Sequence, residues 1–157
     1  MRGPMANTYS QLYVQIIFAV NFRENQIFEQ HRDQLEKYIC GIIKNNKSKS
    51  LAIYCNPDHI HVLIGLDPAI SVSNMTKTIK ANSSKWINEN RWFNGLFRWQ
   101  EGFGSFSYSK SQIDAVAKYI LNQPEHHKKK TFKDEYLNLL KRSEIEYNEA
   151  YLFDWFD

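Results

Sequence analysis

Asn56-Pro57-Asp58-His59-Ile60-His61-Val62-Leu63-Ile64-Gly65-Leu66 reads as a turn that feeds directly into a strand. Asn-Pro-Asp is turn chemistry, and the β-branched apolar run after it favours extended backbone. Side chains alternate on a strand, so His59 and His61 share one face, roughly 7 Å apart, while Ile60, Val62 and Ile64 line the other. Two imidazoles that face the same way on a buried strand can hold a metal ion from one side and leave its other positions open. The competing reading is a pair of half-exposed strand histidines, because a His-x-His triplet also recurs by accident.

The flanking segments build a sheet around that strand. Residues 9–20 alternate, with Leu12, Val14, Ile16, Phe18 and Val20 on one face and Tyr9, Gln11, Tyr13 and Gln15 on the other. That period predicts a half-buried strand. A polar loop over 21–26 precedes an amphipathic helix over 29–45, with Leu35, Tyr38, Ile39, Ile42 and Ile43 at helical spacing and lysines at its C-terminal end. Leu51 to Cys55 makes a second strand, paired as an antiparallel hairpin with the histidine strand. Ser71 or Ser73 can cap a helix that runs to about Asn90. Short extended pieces at 96–99 and 106–109 flank a glycine turn. The order β-α-β-β-α-β is the ferredoxin-like arrangement, an α+β fold with an antiparallel sheet and two helices on one face. The histidine strand is then central, and its histidine face stays open for a ligand or a partner subunit.

Beyond the sheet, Ser111 can cap a helix from Gln112 to about Gln123, with Asp114 completing a near capping box. Ile113, Val116, Ala117 and Ile120 form its apolar stripe, and Tyr119 and Gln123 pair at i and i+4. Pro124 disturbs the helix. The run Glu125-His126-His127-Lys128-Lys129-Lys130 is either a solvated basic surface or a phosphate-contacting patch. A short helix around 133–141 follows. The domain reading is therefore a vector-derived remnant or disordered start over 1–6, one domain over 7–142, and an acidic aromatic tail over 143–157 that docks on the domain or on a partner.

Charge supports that division. The chain has 157 residues and a net charge of +3, but all 20 Lys and Arg and only 12 of the 17 acids precede residue 143. The body is basic, which suits a polyanion partner or serves solubility alone, and the tail is acidic. Cys40 and Cys55 lack CxxC spacing and read as buried free thiols in a reducing, cytoplasmic compartment. No apolar run approaches the roughly 20 residues needed to span a bilayer, so no membrane role is expected.

With these motifs in place, the chain resembles the single-tyrosine HUH transposases of the insertion-sequence 200/605 type. The resemblance rests on Pro57-Asp58-His59-Ile60-His61-Val62-Leu63-Ile64, Lys80-Ala81-Asn82-Ser83-Ser84-Lys85, Trp99 to Ser107, and Tyr119-Ile120-Leu121-Asn122-Gln123-Pro124-Glu125-His126-His127, in that order. It implies His59, His61 and Gln123 as ligands of a catalytic Mg²⁺ or Mn²⁺, with zinc allowed by ligand type. It also implies Tyr119 as the nucleophile. The reaction it implies is cleavage of single-stranded DNA at hairpin-marked element ends, leaving a 5′-phosphotyrosine and a free 3′-hydroxyl, then rejoining. A homodimer that shares its active sites, with Gly102 and Gly104 as hinges for the tyrosine helix, is implied as well.

The chemistry agrees with those residue types. A metal neutralises the charge that shields a phosphodiester, and a tyrosine attacks well only as phenolate. Tyr108 is a competing nucleophile, but it has no metal-type neighbour one turn away. Lys77, Lys80, Lys85, Arg91, Arg98, His126, His127, Lys128 and Lys129 are candidate DNA contacts. Trp86, Trp92 and Phe103 are candidate stacking surfaces for unpaired bases. Three rivals remain: a domesticated endonuclease acting on hairpin repeats, an inactive nucleic-acid-binding module, and a hydrolase that uses water in place of tyrosine.

Overall fold

The β-branched and aromatic runs become four strands: β1 (Tyr13–Ala19), β2 (Lys49–Cys55), β3 (His59–Gly65) and β4 (Gly104–Tyr108). This computed structural model describes residues 7–22 and 26–156. The strands form one antiparallel sheet in the order β2-β3-β1-β4, which is the ferredoxin-like order. The histidine strand is interior, with His61 opposite Ile17 on β1 and Tyr54 on β2. The loop read over 21–26 falls in part on residues 23–25, and the remnant or disordered start on 1–6; residues 1–6 and 23–25 lie outside the described residues.

Helices α1 (Glu29–Asn45) and α2 (Val72–Glu89) cover one face. Leu35, Ile39 and Ile43 from α1 and Met75, Ile79 and Ile87 from α2 meet Ile16, Phe18, Ile60, Val62 and Ile64 in the main core. Ser71 is the cap of α2, accepting from the Asn74 backbone N–H at 3.0 Å. Each of these helices therefore buries the stripe that its 3.6-residue period dictates.

The other face is not open. α3 (Ile113–Leu121) packs Ile120 on Ala52 and Leu63, and α5 (Phe132–Arg142) packs Phe132, Tyr136 and Leu140 on Ile17, Ala19 and Phe106. The expectation of helices on one face holds for α1 and α2, but the histidine face carries a third layer. For the same reason β1 is buried on both sides from Ile16 to Ala19, as the central strand of a doubly covered sheet is.

Four local expectations change. β1 begins at Tyr13, because that residue pairs with the last residue of β3, Gly65. Residues 96–99 form no strand, only an isolated bridge between Trp99 and Val20. Ser109, not Ser111, starts the α3 region through a capping box with Gln112 and a 3₁₀ turn over Lys110–Gln112. The helix read as continuous to Gln123 stops at Leu121, and α4 (Gln123–His126) restarts with Pro124 in its first turn. Proline lacks the N–H that a helix interior needs but suits a first turn.

Gly104 sits in β4, where an added Cβ would meet the Tyr136 ring at 2.8 Å. Its role is close packing, not hinging. Gly102 has φ +83°, a conformation that glycine adopts without strain. The tail docks on the domain: Phe153 is buried against Phe132 and Tyr136, and Asp154 makes two backbone bonds to the Gln100 side chain at 2.8 and 3.0 Å. Cys55 is buried and Cys40 half-buried, both free. No helix among the described residues is long and apolar enough to cross a membrane.

Candidate active site and metal centre

Strand alternation sends His59 and His61 to the α3/α5 face, where they are 1% and 0% exposed. Burial of two imidazoles demands partners, and the fold supplies them on both ring nitrogens. His59 Nδ1 lies 2.6 Å from Asp58 Oδ1, and His61 Nδ1 lies 2.7 Å from Gln15 Oε1. Each oxygen only accepts, so each Nδ1 donates and each Nε2 keeps its lone pair in the neutral ring. The Phe132 ring stacks on His59 at 3.7 Å and fixes its plane.

Both Nε2 atoms point at one carboxylate. Glu135 Oε1 is 3.1 Å from His61 Nε2 and 3.4 Å from His59 Nε2. His59, His61 and Glu135 each bring a ligand atom within 4.8 Å of the others, and all three residues are buried. A divalent cation suits this donor set of two imidazoles and one carboxylate. Metal–donor bonds of about 2.1 Å separate neighbouring donors by roughly 3.0 Å on an octahedron and roughly 3.4 Å on a tetrahedron. The His–Glu separations match those edges.

Tyr119 reaches the same carboxylate from α3. Its hydroxyl donates to Glu135 Oε2, its ring stacks on His126 at 4.2 Å, and it lies 6.3 Å from the His61 ring. Gln123 arrives despite the helix break and is fully buried. Its Nε2 donates to Glu135 Oε2 at 2.9 Å, while its Oε1 accepts from Asn56 Nδ2 at 2.9 Å.

Electrostatics centre on Glu135. Burial alone would raise its pKa, but the His127, His59 and His61 imidazoles that face it outweigh burial and hold the carboxyl far below the usual range. Burial also pulls His59 down, yet Asp58 and Glu135 win and raise it. At His61 burial prevails and lowers it, helped by the neighbouring imidazoles. Tyr119 is pushed well above its ordinary value, first by burial and then by the adjacent Glu135 charge.

The remaining candidates separate. His127 turns inward, with Nε2 3.0 Å from Gln123 Oε1 and 3.2 Å from Glu135 Oε1. A 560 Å³ cleft lined by Asp58, His59, His127, Lys128, Lys129 and Lys130 opens beside it. Lys77, Lys80 and Arg98 line a second cleft of 740 Å³ on the α2 side. Lys80 is committed there to structure, donating to the Gln100 and Gly102 carbonyls at 2.8 and 2.6 Å. Burial lowers it to about 8, with Glu101 opposing. Lys85 and Arg91 are exposed away from both clefts. Trp86 stacks on Tyr38 at 4.3 Å and Trp92 on His31 at 4.1 Å, so their faces are already used.

Residues 8–123 match the family described as "Transposase IS200 like". The chain belongs to this family. It is therefore a single-tyrosine transposase of the IS200/605 type, an enzyme class that acts by DNA cleavage and strand transfer. The ISDra2 transposase TnpA of Deinococcus radiodurans is 22% identical over 120 residues, which cover 72% of this chain and 84% of that protein. A crystal structure described as a transposase from Deinococcus radiodurans R1 superposes with a TM-score of 0.58 at 21% identity, covering 75% of this chain and 95% of that one. A REP-associated tyrosine transposase bound to a REP hairpin gives a TM-score of 0.59 at 16% identity, covering 78% and 72%. These likenesses support the fold of the transposase.

The family match ends at Gln123, so His127 and Glu135 lie beyond it. Sequence reading left Glu135 in an unremarked helix. A signal existed: Phe132, Glu135, Tyr136, Leu139 and Leu140 form the buried stripe of α5, and an acid on such a stripe calls for a buried partner. Gln15 and Asn56 were likewise legible only as polar residues at a strand and a turn.

Proposed function

We propose that this transposase cleaves and rejoins single-stranded DNA at hairpin-marked element ends through a 5′-phosphotyrosine on Tyr119. A divalent metal, Mg²⁺ or Mn²⁺, is held by His59, His61 and Glu135, with Gln123 beside them. The observation that carries this reading is the meeting of the Tyr119 hydroxyl and two strand imidazoles at a single buried carboxylate.

A divalent cation there supplies charge neutralisation at the non-bridging phosphate oxygens and polarises phosphorus. The chain supplies the rest. Tyr119 gives its proton toward Glu135 Oε2, and the phenolate oxygen forms a bond to phosphorus. The bond from phosphorus to the 3′ oxygen breaks, and that oxygen takes up a proton as a free hydroxyl. Rejoining reverses these steps: an incoming 3′-hydroxyl attacks, and Tyr119 leaves and regains its proton. The phosphotyrosine conserves the energy of the broken bond, so no nucleotide cofactor is needed.

Lys128, Lys129 and Lys130, at the cleft that opens on His59, suit backbone phosphates. The hairpin held by the REP-associated neighbour supports a hairpin substrate here. It also favours a second reading, a domesticated enzyme acting on chromosomal hairpin repeats with the same chemistry. The enzyme works in the cytoplasm, where its DNA lies. Tyr119 stands beside its own histidines, which supports cleavage within one chain; the family resemblance implies instead a homodimer that shares its active sites.

The test is a denaturing-gel assay for a covalent protein–DNA adduct with labelled single-stranded hairpin DNA, with Mg²⁺ or Mn²⁺ and with chelator. A metal-dependent adduct is expected. Hairpin binding without an adduct at either metal points to the passive module.

A further inference from the structure

α2 carries a polar face as regular as its apolar one. Ser73, Thr76, Lys77, Lys80, Ala81 and Ser84 recur at three- and four-residue steps, so they share one side of the helix. The turn over residues 98–103 runs opposite, and the two enclose the 740 Å³ cleft. Small side chains at Ala81 and Ser84 keep this groove open. Lys80 fixes its far wall through the Gln100 and Gly102 carbonyls.

Charge in the groove is unbalanced. Lys77, Lys80 and Arg98 line it against one acid, Glu101, and none of the three cations makes an ion pair among the described residues. Lys77 and Arg98 are exposed, and they gather beside the half-buried Lys80 ammonium, which burial destabilises and an anion relieves. A polyanion therefore fits the groove. Phe103, half-buried against the main core, adds an aromatic ring to the lining. Unlike Trp86 and Trp92, it stacks on no other ring among the described residues.

The position of the groove ties it to the active site. Ala19 pairs with His59 at one end of the sheet. Just beyond, the Val20 N–H donates to the Asp58 carbonyl and the Asn21 N–H to the Arg98 carbonyl, both at 2.9 Å. Asp58 lines the cleft that opens on His59, whereas Asn21 and Arg98 line the groove on the α2 side. The two clefts thus lie side by side around one end of the sheet.

We propose that the groove between α2 and the 98–103 turn is a single-strand DNA tract. Lys77 and Arg98 hold backbone phosphates of the strand that leaves the His59 cleft, and Phe103 offers its ring to a base. A groove between one helix and one turn admits a strand, and cations interleaved with an aromatic ring are the lining that unpaired DNA uses. This deepens the proposed single-strand cleavage and rests on it.

The experiment is fluorescence anisotropy of a labelled oligothymidine of about 20 nucleotides, longer than the roughly 4–16 that such grooves occupy. It is titrated with the full chain across about 50 to 200 mM salt, with chelator present so that neither metal nor cleavage enters. Circular dichroism is the folding check. The Lys77→Ala/Arg98→Ala pair is expected to bind at least about tenfold more weakly at low salt, with a salt slope shallower by roughly 1.4, two single-strand phosphate contacts. Lys77→Arg/Arg98→Lys keeps the charge and should stay near wild type. Lys44→Ala/Lys49→Ala removes the same charge at the opposite end of the sheet, where Lys49 pairs with Gly65, and should leave the slope unchanged.

A Lys77→Ala/Arg98→Ala pair that matches Lys44→Ala/Lys49→Ala overturns the tract; if Lys128→Ala/Lys129→Ala still weakens binding, the His59 cleft stands as the DNA site. An equal loss on a blunt duplex of the same length overturns the single-strand assignment. A charge-keeping pair as weak as the alanine pair overturns the phosphate role, and unchanged affinity in Phe103→Leu overturns the stacking role. No binding of the oligothymidine by wild type overturns the single-strand substrate itself.

Discussion

The two faces of this sheet are built from the same strands and do opposite things. On the α1/α2 face, Ile16, Phe18, Ile60, Val62 and Ile64 pack against helix stripes made almost wholly of aliphatic side chains. On the α3/α5 face, the alternate positions of those strands are Gln15, Ile17, His59 and His61, and they bury a polar cluster around Glu135. Apolar contacts on the first face are numerous and non-directional, so they carry stability. The second face sets directed hydrogen bonds among its apolar contacts, and these hold reactive groups in place. Scaffold and chemistry thus sit back to back, one residue apart along β3.

That contrast can be broken by substitution. The largest effect is expected from Tyr119→Phe, which removes one hydroxyl from the chemical face: the covalent adduct on denaturing gels disappears while folding and hairpin binding stay near wild type. Unchanged cleavage would falsify the nucleophile assignment. His61→Ala is expected to abolish the metal-dependent part of the same cleavage.

On the scaffold face, Phe18→Ala should lower stability by about 3–5 kcal/mol, read as a lower midpoint in urea, with no change in which metal supports cleavage. A drop as large from Gln15→Ala would erase the distinction between the faces. Next in size is the response to metal. Mn²⁺ at a hundredfold over its dissociation constant should stabilise the wild type by about 2.7 kcal/mol, seen as a raised melting temperature; Glu135→Gln should lose most of that gain, and Phe18→Ala should keep it.

The smallest effect concerns Lys80, which braces the Gln100–Gly102 turn from α2. Lys80→Met should cost about 1–2 kcal/mol through two lost carbonyl hydrogen bonds. Its pH dependence has a definite sign. Lys80 titrates near 8 in the folded chain against 10.5 in the reference state, so between those values the unfolded chain holds the extra proton. Wild-type stability relative to Lys80→Met should therefore rise as pH moves from 8 toward 10.5. A flat difference would mean that Lys80 is not desolvated.

The elements whose period is strong were legible before any coordinates. α1 spans the residues that its stripe indicates, and α2 takes one of the two serines offered as its cap. The His59–His61 face also read directly from alternation, whereas Gln123 joins Tyr119 at Glu135 across the break after Leu121. The start of α3 did not, because Ser109 and Ser111 offer equal capping chemistry and Gln112 decides between them. The piece at 96–99 failed as a strand because only Trp99 finds a bridge partner, at Val20.

Local sequence determined the order of elements, the sheet, the buried histidine strand and the family motifs, since those depend on propensity and on contacts within a few residues. Tertiary structure alone decided that the histidine face is covered, that Lys80 is a brace, that Gly104 makes room for Tyr136, and that Glu135 joins His59, His61 and Tyr119. Glu135 is separated from His61 by 74 positions. No period or motif reports a contact across that distance; only docking of α5 on the sheet brings the carboxylate to the imidazoles.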